Sequence, residues 1–206
     1  IKKIDYKDVL SSEGVVDIIT EKDIEGINDV GPIFKGDKIF TSKNIEYYGQ
    51  PIFAVIAKTN NLAKKAALKV KIDLKISKPI VSIEEALKKK SFVLKPKYLT
   101  RGNIKDGFDK SDLIVEREFN LQMVHQGYIE PHNATAHWDE NNHLSLWSST
   151  QGQFAVRDLT AGFLDLSISK VTTFPVEIGG GFGGKTKVYL PPLAAILSKK
   201  SGYRPV

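Results

Sequence analysis

The chain has 206 residues, of which 41% are hydrophobic and 26% are charged, an ordinary composition for a folded globular protein. No apolar run approaches the roughly 20 residues that a membrane-spanning helix needs, and the absence of cysteine excludes disulfides and thiolate metal ligands within these residues. The formal net charge of +6 comes mostly from lysines scattered singly. The one triple, Lys88-Lys89-Lys90, is better explained by a helix C-terminus than by a nucleic-acid patch.

The first 77 residues are predicted to form a small α/β unit. Its predicted elements are strands at Val15–Ile19, Ile52–Ala57 and Val70–Ile76 and a helix at Leu62–Leu68. The second run is apolar at every position, which is typical of a central strand, whereas the third alternates as a half-buried strand does. Thr59 or Asn60 is placed to cap the helix. The order strand, helix, strand indicates a crossover unit.

Residues 78–111 are predicted to connect this unit to a second domain over residues 112–206. In the connector, Ser82 and Glu85 have the spacing of a capping box at the start of a short helix that ends in the lysine triple. The second domain's predicted elements are a strand at Leu113–Phe119, a hairpin of Ala134–Trp138 and Leu144–Trp147, a helix at Gln153–Leu164 capped from Ser148–Thr150, a strand at Val171–Phe174 and a helix at Leu193–Leu197.

The stretch Gly179–Lys185 is the most distinctive feature of the sequence, since five of its seven residues are glycine. Such a run costs conformational entropy unless close backbone approach or a positive φ is needed, and a row of free N–H groups suits an anion or a metal-bound oxygen. The sequence of Gly179–Thr186 also matches the phosphate-loop pattern G-x-x-x-x-G-K-[ST], and Gly179, Gly181 and Gly184 match the dinucleotide-binding pattern G-x-G-x-x-G. Pro191-Pro192 and the lack of any acidic residue after Glu177 speak against both nucleotide patterns.

Three further features are candidates for chemistry. All four histidines lie between His125 and His143 without a helical i, i+4 pair, so ordinary hydrogen bonding is favoured over a metal site. Glu130 precedes a proline, and its carboxylate could accept from backbone N–H groups, shape a pocket or act as a base; we favour a structural role. Gln151 lies at a strand-to-helix junction, where an amide can donate to an oxo group or a phosphate, and Gly152 permits close approach.

Three motifs stand in order along the chain: Gln126–His132, Ser148–Gly152 and Gly179–Lys185. Together they closely resemble the molybdenum-binding large subunit of the xanthine dehydrogenase / aldehyde oxidase family, which includes carbon monoxide dehydrogenase and nicotinate or nicotine hydroxylases. Tyr48–Ala57, followed by an Ala-rich helix, is similar to the family's a/b hammerhead domain, and Arg101-Gly102-Asn103 fits as well.

The resemblance implies an α+β fold with an a/b hammerhead domain over residues 1–77, lacking its first strands, and the start of a molybdopterin-binding domain over 112–206. It also implies a molybdenum–molybdopterin cofactor in a dinucleotide form. Such enzymes hydroxylate a carbon with water-derived oxygen and pass two electrons to iron–sulfur clusters and FAD. The expected partners are the remainder of the large subunit, an iron–sulfur subunit and an FAD subunit, in a cytoplasmic oligomer without nucleic acid.

Carried over position by position, the resemblance implies that the Gln151 side chain hydrogen-bonds an oxo ligand of molybdenum. It implies that backbone N–H groups around Phe182 and Gly183 lie beside the metal and cofactor. The expected cofactor-binding residues are Gln151, Gly152, Gly180, Gly181, Phe182 and Gly183. No direct metal ligand is expected among these residues. The catalytic base is not expected here either, because the family's base is a glutamate in a downstream Gly-Glu-Pro type motif. Glu130-Pro131-His132 is not that motif.

We therefore expect a fragment, or one piece of a split subunit, that binds no molybdenum cofactor alone. One rival hypothesis is an interaction module that keeps the fold and has lost the chemistry. The other is a phosphate-loop protein in which Lys185 binds ATP. Among carbon monoxide, aldehydes, purines and pyridines as substrates, Gln126-Gly127-Tyr128 and the glycine run favour a carbon monoxide dehydrogenase-like branch.

Overall fold

In the computed structural model, which describes residues 1–206, one unit joins residues 1–75 with residues 125–206, and a second unit contains residues 76–124. The candidate motifs all lie in the first unit. Its longest helices have 11 residues, too few to span a bilayer.

Residues 1–75 form two separate antiparallel strand pairs. The strands are β1 (Lys3–Asp5), β2 (Val15–Thr20), β3 (Phe53–Ala57) and β4 (Lys71–Asp73), and the helices are α1 (Lys7–Leu10) and α2 (Asn60–Ala67). β1 pairs with β4, and β2 pairs with β3. The predicted cap of α2 is confirmed, because Thr59 Oγ1 accepts a hydrogen bond from the Leu62 N–H at 3.2 Å.

Two predictions about these strands are wrong. β3 has one hydrogen-bonded neighbour and is therefore an edge strand rather than a central one. β4 pairs with β1 and lies outside the sheet of β3, so β3, α2 and β4 form no crossover unit. The apolar run of β3 reflects side chains that are buried or half-buried on both faces. Burial of side chains does not fix how many strands pair with the backbone.

Residues 76–124 contain two short helices, α3 (Ile83–Lys89) and α4 (Ile104–Asp109), and no strand. Ser82 Oγ accepts from the Glu85 N–H at 3.1 Å, which confirms half of the predicted capping box. The other half is wrong, because the Glu85 carboxylate accepts from Lys89 Nζ at 2.7 Å instead. The strand predicted at Leu113–Phe119 is also wrong, since this run pairs with no strand among residues 1–206.

Residues 125–206 build a three-stranded sheet with two helices packed against it. The elements are β5 (Ala134–Trp138), β6 (Leu144–Ser148), α5 (Gln153–Phe163), β7 (Val171–Pro175) and α6 (Leu190–Lys200). β5 and β6 are the predicted hairpin, and β7 runs parallel to β6, so that α5 is a crossover helix. α6 is longer than predicted because Pro191 and Pro192 lie in its first turn, where the missing N–H has no helical partner to lose.

Residues 1–75 and residues 125–206 share one apolar core. Its fully buried members include Leu144 and Leu146 of β6, Phe163 of α5 and Ala195 of α6, and residues before 75 add Ile19, Val30 and Phe40. Full burial of a large apolar side chain contributes about 1.5–3 kcal/mol. The core therefore holds in place the strand ends from which the candidate site is built.

Candidate functional site

The candidate site forms where β6 and β7 end. Because these strands are parallel neighbours, their carboxyl ends lie at the same edge of the sheet. Residues 149–152 follow β6, and the glycine loop, defined here as Gly179–Lys185, follows β7. The Gln151 N–H donates to the Lys185 carbonyl at 3.0 Å, so the two motifs are in direct contact.

The side chain of Gln151 is held by the glycine loop through one end of its amide. Gln151 Oε1 accepts from the N–H groups of Gly183, at 3.0 Å, and Lys185, at 3.3 Å. An amide whose oxygen faces two donors must turn its NH₂ group the other way. Gln151 Nε2 has no acceptor within residues 1–206 and keeps its capacity to donate to a ligand.

The glycine loop exposes donors along its own backbone. The N–H groups of Gly180, Gly181 and Phe182 have no acceptor in the chain, whereas Gly183 donates to Gln151 and Gly184 donates to the Gly181 carbonyl. Phe182 has a φ of +46°, and its side chain is 73% exposed. A non-glycine residue rarely adopts positive φ, so the loop turns Phe182 outward at some conformational cost.

The glycine at 181 is required by close packing. A Cβ built there would lie 2.6 Å from Gln151 Oε1, well inside van der Waals contact. At 184, a Cβ would lie 2.7 Å from the ring of Tyr128. The glycines therefore let the loop approach Gln151 and Tyr128 more closely than any residue with a Cβ would allow.

The buried residue Lys185 contacts all three motifs. Its side chain is fully buried, and Nζ donates to Glu130 Oε2 at 2.5 Å. The same carboxylate oxygen accepts from the Gly179 N–H at 2.7 Å, so Glu130 holds both ends of the glycine loop. The Lys185 carbonyl accepts from the Gln151 N–H and from Thr150 Oγ1, at 3.0 and 3.1 Å. Lys185 Nζ also lies 5.1 Å from the centre of the Tyr128 ring.

These contacts assign Glu130 a positioning role. The hydrogen bond from Lys185, and after it the one from the Gly179 N–H, lowers the pKa of Glu130 to about 2. The carboxylate is therefore ionised at neutral pH and poorly suited to accept a proton. Accepting a hydrogen bond from a backbone N–H is one of the roles that the sequence allowed for Glu130, and its bond from the Gly179 N–H has this form.

The phosphate-loop hypothesis is contradicted by the same lysine. A phosphate loop needs a lysine that reaches the bound phosphates and a helix directly after it. Here Lys185 is buried in an ion pair, and the loop continues as a single 3₁₀ turn, Gly184–Thr186, before α6 begins at Leu190.

Two of the four histidines take part in hydrogen bonds between side chains, and His125 Nδ1 accepts from the Gly127 N–H at 3.0 Å. His132 Nε2 lies 2.8 Å from the Tyr128 hydroxyl, and His143 Nε2 lies 2.7 Å from Thr172 Oγ1. Burial, followed by the charge of Lys185, lowers the pKa of His132. No three histidine, aspartate or glutamate side chains in residues 1–206 converge as a metal site.

The predicted cap of α5 is wrong in its details. The N-cap position is Gly152, which has no side chain to accept a hydrogen bond, and Thr150 Oγ1 accepts from the Gly152 N–H at 3.1 Å. Thr150 thus supports the turn that carries Gln151 rather than the helix itself. A Cβ at Gly152 would meet only the Ala155 side chain, at an ordinary 3.7 Å. Spacing alone gives no signal for the close contact of the Tyr128 ring with the glycine loop, for the support that Thr150 gives to the turn, or for the inward direction of Lys185.

Comparisons with known proteins identify the domains that this chain resembles. The family model for the molybdopterin cofactor-binding domain matches residues 86–206, and the model for the aldehyde oxidase and xanthine dehydrogenase a/b hammerhead domain matches residues 1–78. Xanthine dehydrogenase of Dictyostelium discoideum is 32% identical over 200 residues, which are 96% of this chain and 15% of that protein.

Solved structures give the same result. Aldehyde oxidoreductase from Desulfovibrio gigas matches with a TM-score of 0.85 and 27% identity, over 100% of this chain and 25% of that one. Reconstituted CO dehydrogenase from Oligotropha carboxidovorans matches with a TM-score of 0.79 over 100% of this chain and 29% of that one, and its 21% identity shows the fold alone. The chain spans about 15% of the length of the curated relative. The family and fold predicted from the three motifs are confirmed: the chain belongs to the xanthine dehydrogenase / aldehyde oxidase family and has the α+β fold of its hammerhead and molybdopterin-binding domains.

Proposed function

We propose that the chain forms one wall of the molybdopterin site in the large subunit of a molybdenum-containing hydroxylase or dehydrogenase. The observation that carries this proposal is the free Gln151 Nε2 group beside the free N–H groups of Gly181 and Phe182. Donors without acceptors at the edge of a sheet suit a ligand that presents oxygen atoms, such as oxo, carbonyl or phosphate oxygens. The residues present therefore fit a molybdenum–molybdopterin group.

Within this proposal, each residue has a distinct task. Gln151 Nε2 donates to an oxo ligand, and the N–H groups of Gly180, Gly181 and Phe182 donate to cofactor oxygens. Gly183 acts indirectly, because its N–H is used to orient Gln151. The exposed Phe182 ring excludes water from one side of the site. The contact between Gly152 and the cofactor remains a prediction. When bound, the cofactor supplies two-electron oxidation of a small substrate with oxygen derived from water.

Preorganisation is what makes these donors useful. Gln151 is fixed by its own N–H and by two bonds to Oε1, so its free amide group needs no reordering when negative charge develops on an oxygen. The buried pair of Lys185 and Glu130 fixes the loop in turn. The chain's contribution is to hold and orient; the catalytic base expected from the family resemblance stays a prediction for the remainder of the protein.

The wider assembly belongs to the same proposal. A relative named xanthine dehydrogenase and a structure named aldehyde oxidoreductase support an oxidoreductase that acts on a small substrate. The carbon monoxide dehydrogenase-like branch stays a prediction, since that likeness is one of fold. Iron–sulfur and FAD partners, the dinucleotide form of the cofactor, oligomerisation and a cytoplasmic location also stay predictions.

The non-catalytic interaction module makes a different prediction about neighbouring genes. An enzyme needs a continuation with a Gly-Glu-Pro motif and partners with four-cysteine iron–sulfur patterns. If the flanking coding sequences contain neither, the module is the better explanation.

The experiment compares Gln151→Glu with Gln151→Ala in the complete enzyme. A glutamate keeps an oxygen for the Gly183 and Lys185 N–H groups but presents a second oxygen where the amide donated. Turnover should then fall by about 10²–10³-fold, the usual cost of losing one preorganised donor. Gln151→Ala should lose turnover and also loosen the loop. The control is Gln122→Ala, since the Gln122 side chain is exposed and has no hydrogen bond. Wild-type turnover and molybdenum content in Gln151→Glu would contradict the proposal.

A further inference from the structure

The half-buried side chain of Tyr128 contacts the glycine loop at two places. A Cβ built on Gly180 would lie 3.1 Å from Tyr128 Cβ, and one built on Gly184 would lie 2.7 Å from Tyr128 Cε1. Both distances are shorter than ordinary van der Waals contact, so one side chain packs against the loop backbone near each of its ends. The three free N–H groups of the loop, at residues 180–182, belong to the stretch that these two contacts enclose.

The Tyr128 ring is also the second partner of the buried Lys185 ammonium. Lys185 Nζ donates to Glu130 Oε2 and lies 5.1 Å from the centre of the Tyr128 ring, and it has no other acceptor within residues 1–206. An ammonium has three N–H donors, and burial removes the water that would satisfy them. The negative face of an aromatic ring attracts such a cation. Without the ring, the ammonium at the end of the glycine loop would be held by one carboxylate alone.

The far end of the Tyr128 side chain is held by a histidine. The Tyr128 hydroxyl lies 2.8 Å from His132 Nε2. The ring centres of His125 and His132 lie 5.6 and 5.5 Å from the centre of the Tyr128 ring. The hydroxyl group therefore helps to fix where the ring lies, whereas the ring itself contacts the loop and Lys185.

We infer that Tyr128 is a positioning residue for the proposed cofactor site: its ring sets the place of the free N–H groups of residues 180–182. Glu130 holds the loop at Gly179 and Lys185, and Tyr128 holds it at the two glycines just inside these ends. Tyr128 acts through the loop backbone and needs no contact with the substrate. The inference rests on the proposed function, because those N–H groups have a task only if a ligand with oxygen atoms binds them.

The first test is amide hydrogen exchange at Gly183 and Gly184 in the complete enzyme. Their N–H groups donate to Gln151 Oε1 and to the Gly181 carbonyl, so their exchange rates report whether the loop keeps its shape. Tyr128→Leu removes the ring and should accelerate both rates by about 10-fold or more. Tyr128→Phe removes only the hydroxyl and should accelerate them by about threefold or less. Unchanged rates in Tyr128→Leu, or equal acceleration in both variants, would overturn the inference.

Turnover gives a readout that a purely structural role would not move. In Tyr128→Leu, kcat per bound molybdenum should fall by about 10-fold while KM stays within about twofold, because misplaced donors lose stabilisation of the transition state alone. Tyr128→Phe should restore kcat. The matched control is Tyr6→Leu, since Tyr6 is half-buried against Phe53, with ring centres 5.1 Å apart, and contacts neither the loop nor Lys185. Wild-type kcat in Tyr128→Leu, or an equal loss in Tyr6→Leu, would overturn the inference.

Gly184→Ala tests the same contact from the side of the loop. Its new Cβ would lie 2.7 Å from Tyr128 Cε1, so the ring must move by about 0.7 Å to reach ordinary contact at 3.4 Å. Exchange at Gly183 should accelerate, and by less in the Tyr128→Leu background, because leucine has no Cε1 to displace. If Tyr128→Leu is not recovered, Gly184→Ala carries the test alone, and an unchanged rate at Gly183 would overturn the inference.

Molybdenum content, measured in the same samples, distinguishes this inference from the proposed function. A wild-type enzyme that holds molybdenum, together with unchanged exchange in Tyr128→Leu, removes the role of Tyr128 alone. A complete enzyme without molybdenum, in which Tyr128→Leu still accelerates exchange at Gly183 and Gly184, removes the proposed function. The support that Tyr128 gives to the loop would then stand.

Discussion

Gly181→Ala is expected to displace the Gln151 side chain from its hydrogen bonds with the glycine loop. The φ of Gly181 lies outside the left-handed region, so alanine is penalised by space rather than by backbone conformation. The new Cβ would lie 2.6, 2.7 and 3.0 Å from Oε1, Cδ and Cγ of Gln151. Ordinary contact begins at 3.4 Å, so the amide must retreat by about 0.8 Å, which stretches its 3.0 Å bond to Gly183 beyond hydrogen-bonding range.

The energetic cost follows from the two N–H groups that lose their acceptor. At about 0.5–1.5 kcal/mol for each hydrogen bond, the local free energy of opening at Gly183 and Lys185 falls by about 1–3 kcal/mol. Amide exchange at these two positions should accelerate by about 5–150-fold in the complete enzyme, and molybdenum content should fall. Gly162→Ala is the matched control, because a Cβ there meets nothing within 4 Å and should slightly stabilise α5. Unchanged exchange at Gly183 and Lys185 in Gly181→Ala would refute the reasoning.

Two further predictions concern stability. The pKa of Glu130 is lowered from 4.5 to about 2 in the folded state, so its stabilising contribution is present above pH 4.5 and lost as the pH falls towards 2. Glu130→Gln should therefore lose less stability over this range than the wild type in denaturant titrations, and parallel losses would argue against the ion pair. Leu146→Ala should lower the free energy of unfolding by about 2–5 kcal/mol, because Leu146 is fully buried. A change below 1 kcal/mol would contradict the core described here.

The local elements of residues 125–206 could be predicted because each has its own signal. The hairpin has alternating residues on both sides of a polar turn, and α5 and β7 have clear periodicity. The partners of β3 and β4 could not be predicted, since strand pairing depends on contacts between distant residues. Leu113–Phe119 shows the limit most clearly: its pattern is that of a strand, but no partner strand lies within residues 1–206.

The contact between Gln151 and the glycine loop joins two motifs that the sequence had singled out, but their hydrogen bonds could not be predicted. The sequence indicates Gln151 and the glycine run as donors, because an amide and free glycine N–H groups have that chemistry. It does not show that Gly183 is committed to Gln151, or that Lys185 points inward to Glu130. A lysine after a glycine run has the same sequence pattern whether it binds a ligand or a buried carboxylate. Only the structure distinguishes the two cases.

The central claim is that the free amide end of Gln151 faces the molybdenum cofactor. The most direct measurement is an experimental structure of the complete enzyme with its cofactor bound. We predict that Gln151 Nε2 lies within hydrogen-bond distance, about 2.7–3.2 Å, of an oxo ligand or another cofactor oxygen. A bound cofactor whose nearest atom lies more than about 6 Å from both Gln151 Nε2 and the Phe182 N–H, well outside that range, would contradict the account.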